Sequence, residues 1–426
     1  MINFAKRQIK EIRSDGVEAI ERKIKRFIFK LPYLLFYFFA ILPVLIIRLI
    51  RPCLLVRISI LQSQRIGHFS GNTELYLCER DAGINVPNGF YVDIFYMNKM
   101  VCNHQLATMW RRQLHIWPRW IMKPIDQVNQ LIPGWKPHYI GNNLQMDRDI
   151  GNLLDRFPQH LKFTSEEEAK GTYGLGLMGI PTGAPFVCLI ARDSAYLESY
   201  QRKDWSYHNY RDVNIQNFKL AAETLADKGY FVIRMGSIVR AALNSNNPGV
   251  IDYATNGMRN DFMDIYLGAK CTFCVSVGTG WDAIPYAFRI PIVYVSYVDL
   301  GRLNTFSTRF ISICKHHFLV QQDRELSLSE IFAYGVGFSI NSSDYESMGV
   351  ELRENSPEEI RDAAVEMAQR LSGTWQEHPD DEHLQKRFWE IFRAAAVDEY
   401  EGKALHGEIR ARFGAEFLRI NRDWLQ

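Results

Sequence analysis

The stretch Asp261–Ser296, DFMDIYLGAKCTFCVSVGTGWDAIPYAFRIPIVYVS, constrains the fold more than any other part of the chain. Phe262, Ile265, Tyr266 and Ala269 recur at helical spacing. CTFCVSV and IPIVYVS are short runs with almost no charge, as expected of buried parallel strands. Between them GTGWDAIPYAF opens on glycines and reads as a strand-to-helix turn followed by a short helix. This α-β-α-β order sets Ser276, Gly278, Thr279 and Gly280 at the carboxyl end of a strand, the edge where open α/β sheets bind ligands. Unblocked backbone N–H groups at a helix N-terminus suit a phosphate there; plain packing of the turn is the alternative.

Two earlier strands end the same way. PFVCLIARD delivers Arg192 and Asp193, and YFVIRMGS delivers Arg234 followed by Gly236. Strand ends reading ARD, RMG and SVGTG, side by side on one sheet edge, are a stronger signal than any one alone. Arginine brings a charge that does not titrate and a planar fork matched to phosphate oxygens. Asp252, Tyr253, Arg259 and Asp264 fall between the second and third ends, as further ligand contacts or as solvated loop charges and structural ion pairs. No D-x-D carboxylate pair stands at a strand end, so no metal is expected.

A chain of 426 residues is two or more domains. Its net charge of +2 argues against a nucleic-acid binder. Cys53, Cys78, Cys102, Cys188, Cys271, Cys274 and Cys314 lie in apolar runs, with only Cys271 and Cys274 close together, which reads as buried thiols in a reducing compartment.

Residues 1–30 form a basic, amphipathic leader, and Leu31–Ile47 is uncharged, aromatic and interrupted by Pro32 and Pro43. That run is at the short limit for a spanning helix, and basic residues flank it on both sides. Membrane contact at the cytoplasmic leaflet follows, peripheral or monotopic, with spanning, re-entrant and surface-lying modes open and a buried core helix as the alternative. Beyond it Val56–Leu61 alternates as a strand. QSQRIGHFSGN is a loop carrying Arg65, Gly67 and His68, and TELYLCERDAG is a helix with Thr73 near its N-cap. WPRWIMKP is unusual for a soluble surface: a lip near the membrane, an acceptor groove or a core turn. The Gly/Pro-rich end of the polar 141–183 region marks a domain boundary. Toward the C-terminus, GVELREN is a strand ending in Glu354, and Ser356, Pro357 and Glu359 spell a capping box. Glu354 is a candidate ligand contact at that strand's end, with plain capping as the alternative.

IARDSAYL, NYRDV, GYFVIRMGS, IDYATNGMRNDFMDIYLGAK and SVGTGWDAIPYAFRIP resemble a family of bacterial surface-polysaccharide glycosyltransferases, as do RIGHFSGNTELYL and GLMGIPTGAPFVCLIARD upstream. More distantly, the arginine-ended strand followed by a D…L…C…S-x-G pattern is similar to GT-B fucosyltransferase-like enzymes. The resemblance implies an α/β, GT-B-like fold of two facing Rossmann-like domains, with a nucleotide-sugar gripped by the second and a glycan or lipid-linked acceptor docking on the first. The layout then expected is a membrane-associating segment at 1–52, an acceptor-side domain at 53–180, a donor domain at 181–375, and C-terminal helices at 376–426 returning to the first domain. For such a transfer Arg192, Arg234 and the Ser276–Gly280 turn would stabilise the departing phosphate, and His68 is the candidate base. His104, His208, His316 and His317 are weaker rivals. The other readings are a non-catalytic membrane-associated assembly protein of polysaccharide biosynthesis, or a nucleotide-sugar epimerase or hydrolase.

Overall fold

Uncharged strand-length runs alternate with helical-period runs along most of the chain, and in the computed structural model they assemble as that alternation requires. The structure describes residues 36–140, 148–200, 205–395, 399–400 and 403–426. The basic leader and residues 31–35 of the hydrophobic run lie outside the described residues. Contacts divide the chain into a smaller unit (up to Gln62, Asn85–Met100 and Leu114–Gly141) and a larger one (Ser63–Ile84, Val101–Gln113 and Asn142–Gln426).

In the smaller unit β1 (Leu55–Leu61), β2 (Tyr91–Met97) and β3 (His115–Ile116) form a parallel sheet in that order. Arg57 and Asp93 are register partners on adjacent strands, and their buried side chains form a two-pronged ion pair of 2.6 Å in each bond. A helix over residues 36–49 and the helix Arg119–Leu131 cover this sheet, sharing a core of Ala40, Val44, Ile58, Met122 and Val128. Among the described residues no helix is long and apolar enough to cross a membrane.

The larger unit is built on a parallel sheet of β4 (Phe186–Ile190), β5 (Phe231–Met235), β6 (Val250–Ile251), β7 (Phe273–Ser276), β8 (Ile292–Tyr297), β9 (Phe310–Cys314) and the short strand Arg412–Phe413. The spatial order is Arg412–Phe413, β9, β8, β7, β4, β5, β6. The chain runs outward from β4 to β6, then returns to place β7 on the other side of β4. The order reverses between β4 and β7, and such a switch point opens a crevice at the carboxyl ends of the strands. Ile190 pairs with both Met235 and Ser276, so the three charged or Gly-rich strand ends are level. A small antiparallel sheet of β10 (His316–Leu319), β11 (Arg324–Glu325) and β12 (Val350–Arg353) follows, and the capping box at Ser356 and Glu359 starts the helix Pro357–Ser372.

Three local expectations change. The helix expected from Thr73 starts earlier: residues 66–67 are already helical, a π turn spans His68–Asn72, and Thr73–Asp81 continues it. The last expected helix is replaced by the strand Arg412–Phe413 and a short helix Ala415–Ile420. Gly414 permits this, since a Cβ there would lie 2.5 Å from Ile313. The C-terminal elements, expected on the N-terminal domain, have their apolar faces in the core of the larger unit. There Phe388 stacks on Phe413 at 4.2 Å beside Trp424. The segments Ser63–Ile84 and Val101–Gln113 also belong to that unit: Ser70 Oγ donates to the Ala283 carbonyl (2.8 Å), and Asn103 Nδ2 to that of Asp261 (2.8 Å).

Candidate functional site at the sheet switch point

The Gly turn is knitted by one buried acid that the sequence reading passed over. Asp282 accepts from Ser276 Oγ (2.5 Å), Thr279 N (2.7 Å) and Thr279 Oγ1 (3.0 Å), while Ser276 Oγ accepts from Gly278 N (3.2 Å). This is a capping box with Asp at its fourth position, so the spacing T-x-x-D was visible in GTGWD. Burial pushes the Asp282 carboxyl up to about 6, against the hydrogen bonds from Ser276 and Thr279 that favour its charge. Gly278 is required at its position: its φ is +78°, and a Cβ would come within 2.8 Å of the Tyr297 ring. The N–H groups of Gly278 and Thr279, expected to cradle a phosphate, are therefore engaged inside the turn.

Cations gather around it. Arg192 stands two residues beyond β4, half-buried, with Nε 3.4 Å from Asp212 Oδ1. Arg211, last residue of the 3-10 turn Ser206–Arg211, donates to the Gly278 carbonyl. Burial, and then the like charge of Arg211, pushes the Arg192 guanidinium down to about 10. Lys315, buried at the end of β9, donates to the carbonyls of Tyr210 (3.2 Å) and Asp212 (2.7 Å), fixing the segment that presents Arg211. Burial pushes Asp299 up to about 6 although Arg302, Arg148 and Arg211 surround it. Two guanidiniums that repel one another beside a switch point are suited to an anion. Arg211 and Lys315 were absent from the sequence-based site; the only signal for Arg211 was its place in NYRDV.

The His68 loop meets the same turn. A Cβ on Gly67 would lie 3.0 Å from the Gly280 carbonyl oxygen and 3.1 Å from its Cα, so two glycine backbones are in contact. His68 follows on the π turn, half-buried, with Nδ1 3.4 Å from Asn72 Nδ2. Single π turns inside α-helices recur at functional sites. The rival histidines are placed otherwise. His316 is clamped by Glu325 (2.8 Å) and Glu359 (3.0 Å); burial works against its charge, but the two carboxylates hold it up to about 10. His317 is fully buried and pushed down to about 4, first by burial. His104 is exposed, with its backbone N–H donating to the Asp261 carboxylate (2.7 Å), and His208 packs 4.0 Å from the Tyr207 ring.

The remaining predicted residues hold structure together. Arg234 is 1% exposed, with Nη1 3.3 Å from Asp252 Oδ1 and Nη2 3.1 Å from the Ala241 carbonyl. A phosphate would have to enter the core to reach it. Gly236 follows with φ +155° and Val239 2.6 Å from where a Cβ would be. Asp252 also accepts from Leu243 N (2.7 Å). Asp193 accepts from the N–H groups of Ala195 and Arg240, each at 2.9 Å. Tyr253 Oη donates to Asp264 Oδ1 (3.1 Å), and Arg259 Nη2 to Asp264 Oδ2 (2.6 Å); burial raises Asp264 to about 6. Glu354 accepts from Asn214 N and Asn217 Nδ2, each at 2.9 Å.

Among the described residues, Glu74, Cys78 and His160 offer ligand atoms within 4.8 Å of one another. They do not fit a metal as arranged: Arg289 Nη2 already sits 2.8 Å from Glu74 Oε1 and 3.4 Å from Cys78 Sγ. Burial and then Glu74 push the Cys78 thiol up to about 12, away from the thiolate a metal needs.

No protein-family model matches the chain, and no curated protein matches it. Solved structures do. The E. coli ADP-heptose LPS heptosyltransferase II is similar at 14% identity and a TM-score of 0.40, over 61% of this chain and 90% of that one. A family 9 glycosyl transferase from Veillonella parvula is similar at 10% identity and 0.41, over 74% and 97%. The E. coli heptosyltransferase WaaC with ADP-2-deoxy-2-fluoro heptose is similar at 12% and 0.31, over 61% and 93%. At these identities and TM-scores the likeness assigns neither a family nor an activity.

Proposed function

We propose that this protein is a glycosyltransferase of the GT-B class, moving a sugar from a nucleotide-sugar to a hydroxyl of a cell-surface glycan or a lipid-linked acceptor. The observation that carries the reading is the gathering of two guanidiniums at the β4/β7 switch point, Arg192 beside Asp212 and Arg211 on the Gly278 carbonyl of the Gly turn that the His68 loop meets. The acceptor oxygen attacks the anomeric carbon and its proton passes to His68. The bond from that carbon to the phosphate oxygen breaks, and the electron pair leaves on the nucleotide. Charge then grows on the phosphate, where fixed guanidiniums act without reorganising. Arg192 and Arg211 supply the positive charge that a divalent ion supplies elsewhere, so the reaction is proposed to be metal-independent. Of the arginine ends foreseen in the sequence, Arg192 keeps the donor role; Arg211 takes the place of Arg234.

Calorimetry with nucleoside diphosphates, with and without EDTA, tests this. Arg192→Gln and Arg211→Gln are each expected to weaken binding about 10- to 100-fold, the scale of a charge-assisted hydrogen bond, with EDTA without effect. His68→Ala is expected to lower kcat about 10²–10⁴-fold and leave nucleotide affinity unchanged. Equal affinity of both arginine variants and the parent would sink the donor site. Sugar release to water at the rate of transfer to any acceptor would favour a hydrolase instead.

A further inference from the structure

The helix over residues 36–49 presents apolar side chains on both sides. Ala40 and Val44 face the core of the smaller unit. On the opposite side Phe38, Leu42, Leu45 and Leu49 recur at four, three and four residues, a single stripe, and are 69, 65, 52 and 80% exposed. A surface helix normally turns a polar face outward, and one apolar all round belongs in a core or in lipid. The stripe has neighbours of the same kind. Phe36 meets Trp120 edge-on at 6.0 Å, and Trp120, Trp117 and Leu131 are themselves exposed. Exposed apolar area on this scale marks an interaction surface.

The chemistry of its rim selects the occupant. Residues 36–57 and 117–125 contain no acidic residue, whereas Arg51 follows the stripe and Lys123 stands one helical turn from Trp120. A second copy of the chain would bring like charges together around the contact. An anionic lipid surface complements them, and tryptophans with basic residues beside an aliphatic stripe are the composition of an interfacial helix.

We propose that the outer face of helix 36–49, with Trp117, Trp120 and Leu131, is a monotopic docking surface that lies in one leaflet of an anionic phospholipid membrane. The apolar stripe enters the acyl region, the tryptophans sit at headgroup level, and the core-facing side keeps the smaller unit on the leaflet. Given the donor reading above, the leaflet is the cytoplasmic one of the plasma membrane, where nucleotide-sugars are available; the docking itself does not depend on that reading.

The test is sedimentation of the full chain with vesicles of phosphatidylcholine, with and without phosphatidylglycerol, together with tryptophan quenching by lipids brominated along the acyl chain. Binding is expected to be stronger on the anionic vesicles, with quenching greatest for shallow bromines. Leu42→Glu/Leu45→Glu is expected to lower the bound fraction about tenfold or more, since both side chains must leave lipid to hydrate a carboxylate. Arg51→Glu/Lys123→Glu is expected to weaken binding on anionic vesicles alone. These residues are exposed or on the rim, and circular dichroism checks that the variants remain folded. Unchanged sedimentation of the Leu42→Glu/Leu45→Glu variant, or no quenching, would overturn the proposal. So would a lipid-free dimer that this variant dissolves, which would make a second copy the occupant. Nucleotide affinity measured on the same samples reports on the donor site separately.

Discussion

Gly67→Ala tests whether the His68 loop and the Gly turn work as one site. Gly67 has φ −59° and ψ −54°, right-handed helical values that alanine adopts freely. On propensity alone the substitution would stabilise the helix by about 1 kcal/mol. The new Cβ, however, would lie 3.0 Å from the Gly280 carbonyl oxygen and 3.1 Å from its Cα, both backbone atoms. Overpacking of this kind costs about 1–3 kcal/mol, so the net loss of stability is about 0–2 kcal/mol. Relief requires the two backbones to part by a few tenths of an ångström, carrying His68 with them. Misplacement by about 1 Å costs about 10²-fold in rate, so kcat should fall about tenfold, with nucleotide affinity changed less. The assay compares kcat, nucleotide Kd and Tm, using the donor that the nucleotide screen selects. Gly176→Ala is the control: nothing lies within 4 Å of its Cβ position on an exposed helix, and a gain of about 0.5–1 kcal/mol is expected. An unchanged kcat in a protein whose Tm shifts as expected would refute the reasoning, because the contact would then be packing alone.

Arg234→Gln should lower stability by about 3–5 kcal/mol in denaturant titration, because Asp252 loses a partner at a largely buried site; a stable variant with lost nucleotide affinity would restore Arg234 to the donor site. Asp282→Ala leaves Ser276 Oγ and the Thr279 N–H without their acceptor, and nucleotide affinity should drop about tenfold alongside a loss of about 2–4 kcal/mol, read by calorimetry and melting. His316 has its pKa raised on folding from 6.5 to about 10, so its contribution is complete below pH 6.5 and is lost as pH rises through about 10. Melting between those values should show a decline of about 3–5 kcal/mol that His316→Gln flattens; a parallel decline in the variant would place its cause elsewhere.

The parallel sheet was legible because β4, β5 and β7 are mostly apolar runs that give out in charge or glycine. Ile190, Met235 and Ser276 are level as those endings require. The division into units was not. Ser63–Ile84 and Val101–Gln113 follow strand and loop patterns ordinary for an N-terminal domain, and nothing in a Phe or Trp says which core it joins. Phe69 and Trp110, held together by a bond of 2.9 Å from Trp110 Nε1 to the Phe69 carbonyl, belong to the larger unit. The last segment misled for a similar reason: its apolar spacing suits a helix, but Gly414 lets Phe413 enter the sheet edge.

The site divides along a finer line. IARD and IRMG look alike, each an arginine where an apolar run gives out, yet their geometry differs. Arg234 is still inside β5, paired with Leu189, and its side chain is committed to the core. Arg192 is two residues past the end of β4, where the chain has left the sheet, and its guanidinium is half-buried beside Asp212. A position relative to the last ladder pair, rather than residue type, separates the arginine held in the core from the one proposed to meet a phosphate. Arg211 shows the converse. It lies in a polar loop with no periodicity, and its place depends on Lys315, about a hundred residues later in the chain, holding the carbonyls of Tyr210 and Asp212. Local spelling marked the edge on which the site is built. The identity of the second cation depended on a tertiary bond between distant segments, which no window of sequence contains.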